Sequence, residues 1–147
     1  MTILRVDGLS KRYPAFCLRD VSFSIEEGRV MGLIGRNGAG KTTTIKSILR
    51  LVRPDGGTVQ FLGKPLDMDA SALRREAGYV SGDLCYYPRK RLSQLTAVTK
   101  SFYPSWDDKK YEALLHRFSL DEGKRVCELS AGMKVKYQLA CALSHGA

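Results

Sequence analysis

The chain has 147 residues, 44% of them apolar, enough for one domain with a substantial core, and no stretch approaches the ~20 consecutive apolar residues that a membrane-crossing helix needs. Lys and Arg number 24 against 15 Asp and Glu, a formal +9, but the basic residues fall in short groups such as Arg74-Arg75, Arg89-Lys90-Arg91 and Lys109-Lys110 among acids, and no nucleic-acid-binding signature accompanies them, so direct nucleic-acid binding is not expected. Cys17, Cys85, Cys127 and Cys141 are irregularly spaced and His116 and His145 stand apart, which argues against a C-x-x-C metal clamp or a dense disulfide framework and predicts buried, reduced thiols.

In chain order, residues 3–6, 17–25, 30–34 and 58–62 read as strands, punctuated by Glu26-Glu27-Gly28 and Pro54-Asp55-Gly56-Gly57. After the third strand, Gly35-Arg36-Asn37-Gly38-Ala39-Gly40-Lys41-Thr42-Thr43 satisfies the phosphate-loop pattern G-x-x-x-x-G-K-[ST], followed by a helix start with apolar Ile45, Ile48 and Leu49. Strand, loop and helix in this order are what the pattern requires. Gly35, Gly38 and Gly40 allow the backbone to turn tightly, so that N–H groups from Asn37, Gly38, Ala39 and Gly40 and the helix N-terminus face phosphate oxygens. Lys41 is placed to reach the β- and γ-phosphates, Thr42 to ligate Mg²⁺, and Thr43 to help bind the α-phosphate region. A glycine-rich turn that merely caps a helix would have to match all of these positions by coincidence. From residue 70 the pattern turns helical. Tyr111, Leu114, Leu115 and Phe118 recur at i, i+3, i+4 and i+7, predicting an amphipathic helix over 107–118. A last helix is predicted over about 131–143, with Ser130 as N-cap and Val135, Leu139, Ala142 and Leu143 on one stripe.

The sequence Leu129-Ser130-Ala131-Gly132-Met133-Lys134 resembles the signature of ATP-binding-cassette (ABC) ATPases, usually Leu-Ser-Gly-Gly-Gln. Leu129, Ser130 and Gly132 are kept, and Ala131 and Met133 are replacements similar to those of bacterial multidrug and antibiotic exporter cassettes. Ser130 as a plain helix N-cap would explain that residue equally well. The segment Ser10-Lys11-Arg12-Tyr13 resembles the family's base-stacking region, with Tyr13 as the stacking ring or, more simply, a surface tyrosine. Gly78-Tyr79-Val80-Ser81-Gly82-Asp83 resembles the approach to the family's Q-loop, but Gly82 stands where the glutamine belongs. Asp83 either replaces it as an oxygen donor, to metal or through water, or merely begins a turn.

The resemblance implies an α/β fold, a P-loop NTPase (ABC ATPase) core with an N-terminal antiparallel β-subdomain and a helical subdomain. Its parts would be residues 1–83 (β-rich, with the phosphate loop), 84–130 (helical subdomain) and 131–147 (signature helix). It implies ATP and Mg²⁺ as ligands, and a head-to-tail dimer with a second ABC ATPase subunit in which Ser130, Ala131 and Gly132 face the opposing subunit's ATP. It also implies a transmembrane permease partner and a cytoplasmic position on the inner face of the membrane. The family continues into a Walker B strand, a catalytic glutamate and a switch histidine, whereas no apolar run in this sequence ends in Asp-Glu. The expectation is a cassette cut before Walker B, carrying no catalytic residue and inactive alone. The alternatives are a nucleotide-binding module without turnover and a non-transport cassette acting on DNA or ribosomes.

Overall fold

Two long strands, β1 (Thr2–Tyr13) and β2 (Phe16–Glu26), pair antiparallel across a turn at Pro14-Ala15. The computed structural model describes residues 1–66, 71–82 and 87–147. The strands β3 (Gly56–Phe61) and β4 (Lys64–Pro65) complete a sheet of order β2-β1-β3-β4 in which every neighbour is antiparallel. Val6 lies opposite Phe23 of β2 and Val59 of β3, and Val6 and Leu9, three residues apart across a register shift in β1, are both fully buried. Helix α1 (Lys41–Ile48) touches β1 and β2, and Ile48 and Leu49 are buried at its end. Residues 1–73 form one compact unit and residues 74–147 a second, with the short helix α2 (Ser71–Glu76) carrying the chain from one to the other.

The strand predicted at residues 30–34 is not found. Residues 29–36 carry no ladder, Val30 is fully exposed and Ile34 is 95% exposed. The reason is the absence of a neighbour: an apolar run becomes a strand only when its N–H and C=O groups are paired, and no strand of the described residues lies beside this one. The two strands on the N-terminal side, by contrast, extend further than their sequence pattern suggests because each supplies the other's ladder.

The second unit is helical. It comprises α3 (Leu92–Ser101), α4 (Asp108–Phe118), a 3₁₀ turn (Val126–Glu128) and α5 (Ala131–Ser144). Helix α4 begins where its sequence predicts: the Asp107 carboxylate accepts from the Lys110 backbone N–H at 3.0 Å. Its Tyr111 and Leu115 are buried, and Leu114 and Phe118 pack against the same core with Leu92, Leu95, Leu120, Val126 and Leu129. Within that core the Tyr111 hydroxyl donates to Glu122 Oε1 at 2.9 Å, Thr96 Oγ1 lies 2.7 Å from the Tyr111 hydroxyl, and the Tyr137 hydroxyl lies 3.0 Å from Thr96. Since Tyr111 gives its proton to Glu122, Thr96 donates to Tyr111 and Tyr137 donates to Thr96. Each of the three hydroxyls of Thr96, Tyr111 and Tyr137 is thus satisfied, and burial pushes both tyrosines well above the ordinary phenol range.

Helix α5 spans the predicted residues but faces the other way. Tyr137, Ala140 and Ser144 are buried with Ala142, whereas Val135, Leu139 and Leu143, read as one stripe with Ala142, are between 37 and 40% exposed. The helix has apolar residues on two sides, and the side chosen within this unit is the one where the Tyr137 hydroxyl reaches Thr96 and the small Ala140 allows close approach. The thiols are not uniformly buried either: Cys17 and Cys141 are partly buried and Cys127 is exposed, all three free, while Cys85 lies outside the described residues. Burial pushes the Cys141 thiol up to about 11, which leaves it protonated and inert at neutral pH.

Candidate nucleotide-binding site

In the first unit the tip of the β1–β2 hairpin and the phosphate loop come together. Tyr13 and Phe16 are cross-strand partners with ring centroids 6.4 Å apart, and Tyr13 keeps 38% of its surface exposed. The Lys11 ammonium sits 5.6 Å from the Tyr13 ring centroid while bonded to Asp55 at 2.9 Å. Asp55 also accepts the Arg12 backbone N–H at 2.7 Å, and that bond, followed by Lys11, holds its carboxyl below the usual aspartate range. The hairpin end that presents Tyr13 is thus pinned to the turn before β3.

The loop abuts this hairpin through Gly40. Its φ is +96°, which favours glycine, and a Cβ there would lie 2.8 Å from both Leu18 Cδ1 and Phe16 Cζ, so any side chain would also have to push these two aside. Gly40 is the N-cap of α1, no side chain caps that helix, and its first turn carries no acid. The N–H groups of Lys41, Thr42 and Thr43 therefore point out of the helix start without an intrahelical acceptor, which makes a ready anion site. Lys41 Nζ folds over the loop, donating to the carbonyls of Gly35 at 2.6 Å and Arg36 at 2.9 Å, and an ammonium has a third proton to give. Asn37, Gly38 and Ala39 form the exposed turn, closed by the Ala39 N–H bonding to the Arg36 carbonyl at 3.1 Å.

These residues fit a polyphosphate with its divalent cation. The cradle is backbone, the Lys41 ammonium lies over it, and the Thr42 hydroxyl is exposed at the helix start, where it would hold Mg²⁺. Thr44, one position beyond the predicted set, does something else: it is buried and its Oγ1 donates to the Gly40 carbonyl at 3.0 Å, locking the loop to the helix.

The second unit carries the other predicted cluster. Ser130 Oγ accepts from the Met133 backbone N–H at 3.2 Å, so Ser130 is the N-cap of α5. Capping uses the hydroxyl as acceptor and leaves its proton available, and Ser130, Ala131 and Gly132 are all exposed, with open space around Gly132. Asp83 lies outside the described residues. Gly82 is described, and its backbone is held by a side chain that the sequence pattern does not single out, Gln138 of α5.

Comparison with known proteins agrees with this geometry. The ABC transporter family matches residues 18–147, which include the phosphate loop and α5. The chain belongs to the ABC transporter family. Among its ABC relatives, the ABC transporter ATP-binding protein YtrB of Bacillus subtilis is 34% identical over 88% of this chain and 44% of its own length. The phosphonates import ATP-binding protein PhnC of Treponema denticola is 32% identical over 96% of this chain and 62% of its own length. A solved ATP-binding subunit of an ABC transporter superposes with a TM-score of 0.80 at 32% identity, covering 95% of this chain and 60% of that one. The chain therefore has the ABC ATPase fold and spans about half the length of the ABC proteins it matches. No helix of the described residues is long and apolar enough to cross a membrane.

Proposed function

We propose that this chain binds Mg-ATP through Tyr13, Asn37, Gly38, Ala39, Gly40, Lys41, Thr42 and Thr43, and that it is the nucleotide-binding part of a longer cassette whose ATP hydrolysis drives transport through a transmembrane permease. The observation that carries this reading is the meeting of the Tyr13 hairpin tip with Gly40 and the uncapped start of α1. An aromatic face for the base thus lies on the same hairpin that packs against the phosphate cradle. In the full cassette two subunits close head to tail, and Ser130, Ala131 and Gly132 of one subunit complete the phosphate site of the other. The rate then comes mainly from positioning and charge stabilisation around the γ-phosphate. The chain's place is on the cytoplasmic face of the membrane, held there by its permease. The Leu129–Met133 variant supports drug export as the transport direction, and uptake of labelled substrate by inverted vesicles distinguishes export from import.

The decisive variant is Lys41→Ala. Removing the ammonium takes away the main side-chain counterion of the polyphosphate, with a charge-assisted bond worth about 1.5–3 kcal/mol. Titration of a fluorescent ATP analogue should show affinity falling ~10–100-fold in the folded variant. Equal affinities would remove the assignment.

A further inference from the structure

We infer that Gln138 is a positioning residue that clamps residues 78–82 onto the signature-bearing helix α5. The Gly82 N–H donates to Gln138 Oε1 at 3.1 Å, and Gln138 Nε2 donates to Ser81 Oγ at 3.3 Å, so one amide grips two consecutive residues through both of its ends. One turn along α5 the same segment is held differently: a Cβ on Gly78 would lie 3.2 Å from both the Cβ and the carbonyl oxygen of Ala142, a spacing that only glycine meets without displacement. Positions 138 and 142 are four apart and share a face of the helix. Residues 78–82 therefore run along α5, fixed at one end by backbone packing and at the other by a side-chain amide.

The location gives this clamp its consequence. Residues 77–82 are part of the covalent route from α2, at the boundary of the first unit, to α3 in the second. A displacement carried along that route acts on α5 directly through Gln138, whose Cα is eight residues, roughly 12 Å of helix, from Ser130. Gly82 has φ of +75° and no side chain, so at this position the contact to α5 is made by its backbone N–H, for which the helix offers an acceptor. Gln138 supplies it. With its Oε1 engaged in this way, Gln138 orients the helix that carries Ser130 and is not itself a nucleotide ligand.

The functional half of this inference rests on the signature role proposed above; the clamp itself does not, and the two are tested separately. In this chain, the Gly82 amide should exchange with deuterium about tenfold faster in Gln138→Leu than in the wild type, while Gln138→Glu, which retains an oxygen acceptor, keeps most of the protection. An unchanged Gly82 exchange rate in Gln138→Leu would overturn the clamp whatever the protein's activity. In the full-length cassette, Gln138→Leu should lower kcat about tenfold with the KM for ATP unchanged, and Gln138→Glu should recover most of the loss. A wild-type kcat in Gln138→Leu, a parallel rise in KM, or no recovery in Gln138→Glu would overturn the positioning role. Should ATP fail to bind the wild-type chain, the nucleotide reading falls while the Gly82 exchange result still stands.

Discussion

Three adjacent threonines at the start of α1 show how one residue type is divided among tasks. Thr42 is exposed at the uncapped helix start, Thr43 is half-buried, and Thr44 is buried with its hydroxyl on the Gly40 carbonyl. The first two are available to a ligand and the third holds the loop. Tyr13 is divided in the same sense, partly against Phe16 and Lys11 and partly open. Stacking uses the π face, so Tyr13→Phe should leave ATP affinity nearly unchanged while Tyr13→Ala loses about 1–3 kcal/mol, by analogy with base stacking on aromatic side chains. Inorganic triphosphate has no base and provides the control: measured by calorimetry, its affinity should hardly move in Tyr13→Ala. Parallel losses for both ligands would mean that Tyr13 supports the hairpin instead.

At the scale of elements, α5 is where packing and function meet. Its N-terminus presents Ser130, its middle grips residues 81–82 through Gln138, and its inner face enters the hydroxyl chain from Tyr137 through Thr96 to Tyr111 and Glu122. Thr96→Val keeps the shape of the side chain but removes the acceptor for Tyr137 and the donor to Tyr111, stranding buried hydroxyls. The second unit should lose about 1–3 kcal/mol, measured by urea denaturation followed through the fluorescence of Trp106, whose ring lies 5.1 Å from that of Tyr111. A change below about 0.5 kcal/mol would show that water or a rotated partner replaces the threonine. The stripe of Val135, Leu139 and Leu143 has the opposite character, since among the described residues it lies outside the second unit's core and stays 37 to 40% exposed.

For the molecule as a whole, the proposed function predicts that binding and turnover separate. On the function proposed above, Tyr13 and the phosphate loop hold nucleotide and the Ser130 cluster meets that of an opposing subunit, whereas the sequence contains no apolar run ending in the acidic pair that would orient metal and attacking water. Purified alone, this chain should release phosphate from ATP no faster than a Lys41→Ala control, while Mg-ATP at a hundredfold excess over Kd should still stabilise it by about 2.7 kcal/mol through mass action and so raise its thermal midpoint. Phosphate release well above that control would contradict the assignment of hydrolysis to the full cassette. The phosphate loop was legible in the sequence because its chemistry is local: glycines, one lysine and a hydroxyl at set spacing specify a backbone cradle wherever they fold. The stripe from Tyr111 to Phe118 was legible for the same reason, a 3.6-residue period that needs only local sequence. What needed the tertiary structure was every choice that depends on a distant partner. Residues 30–34 have the composition of a strand yet no neighbour to pair with, α5 has two apolar faces and buries the one that Thr96 can satisfy, and Gln138 is an ordinary helical residue until Gly82 is brought to its amide. Local pattern determines what a segment is able to form, and only the contacts made across the fold decide which of its groups are paired.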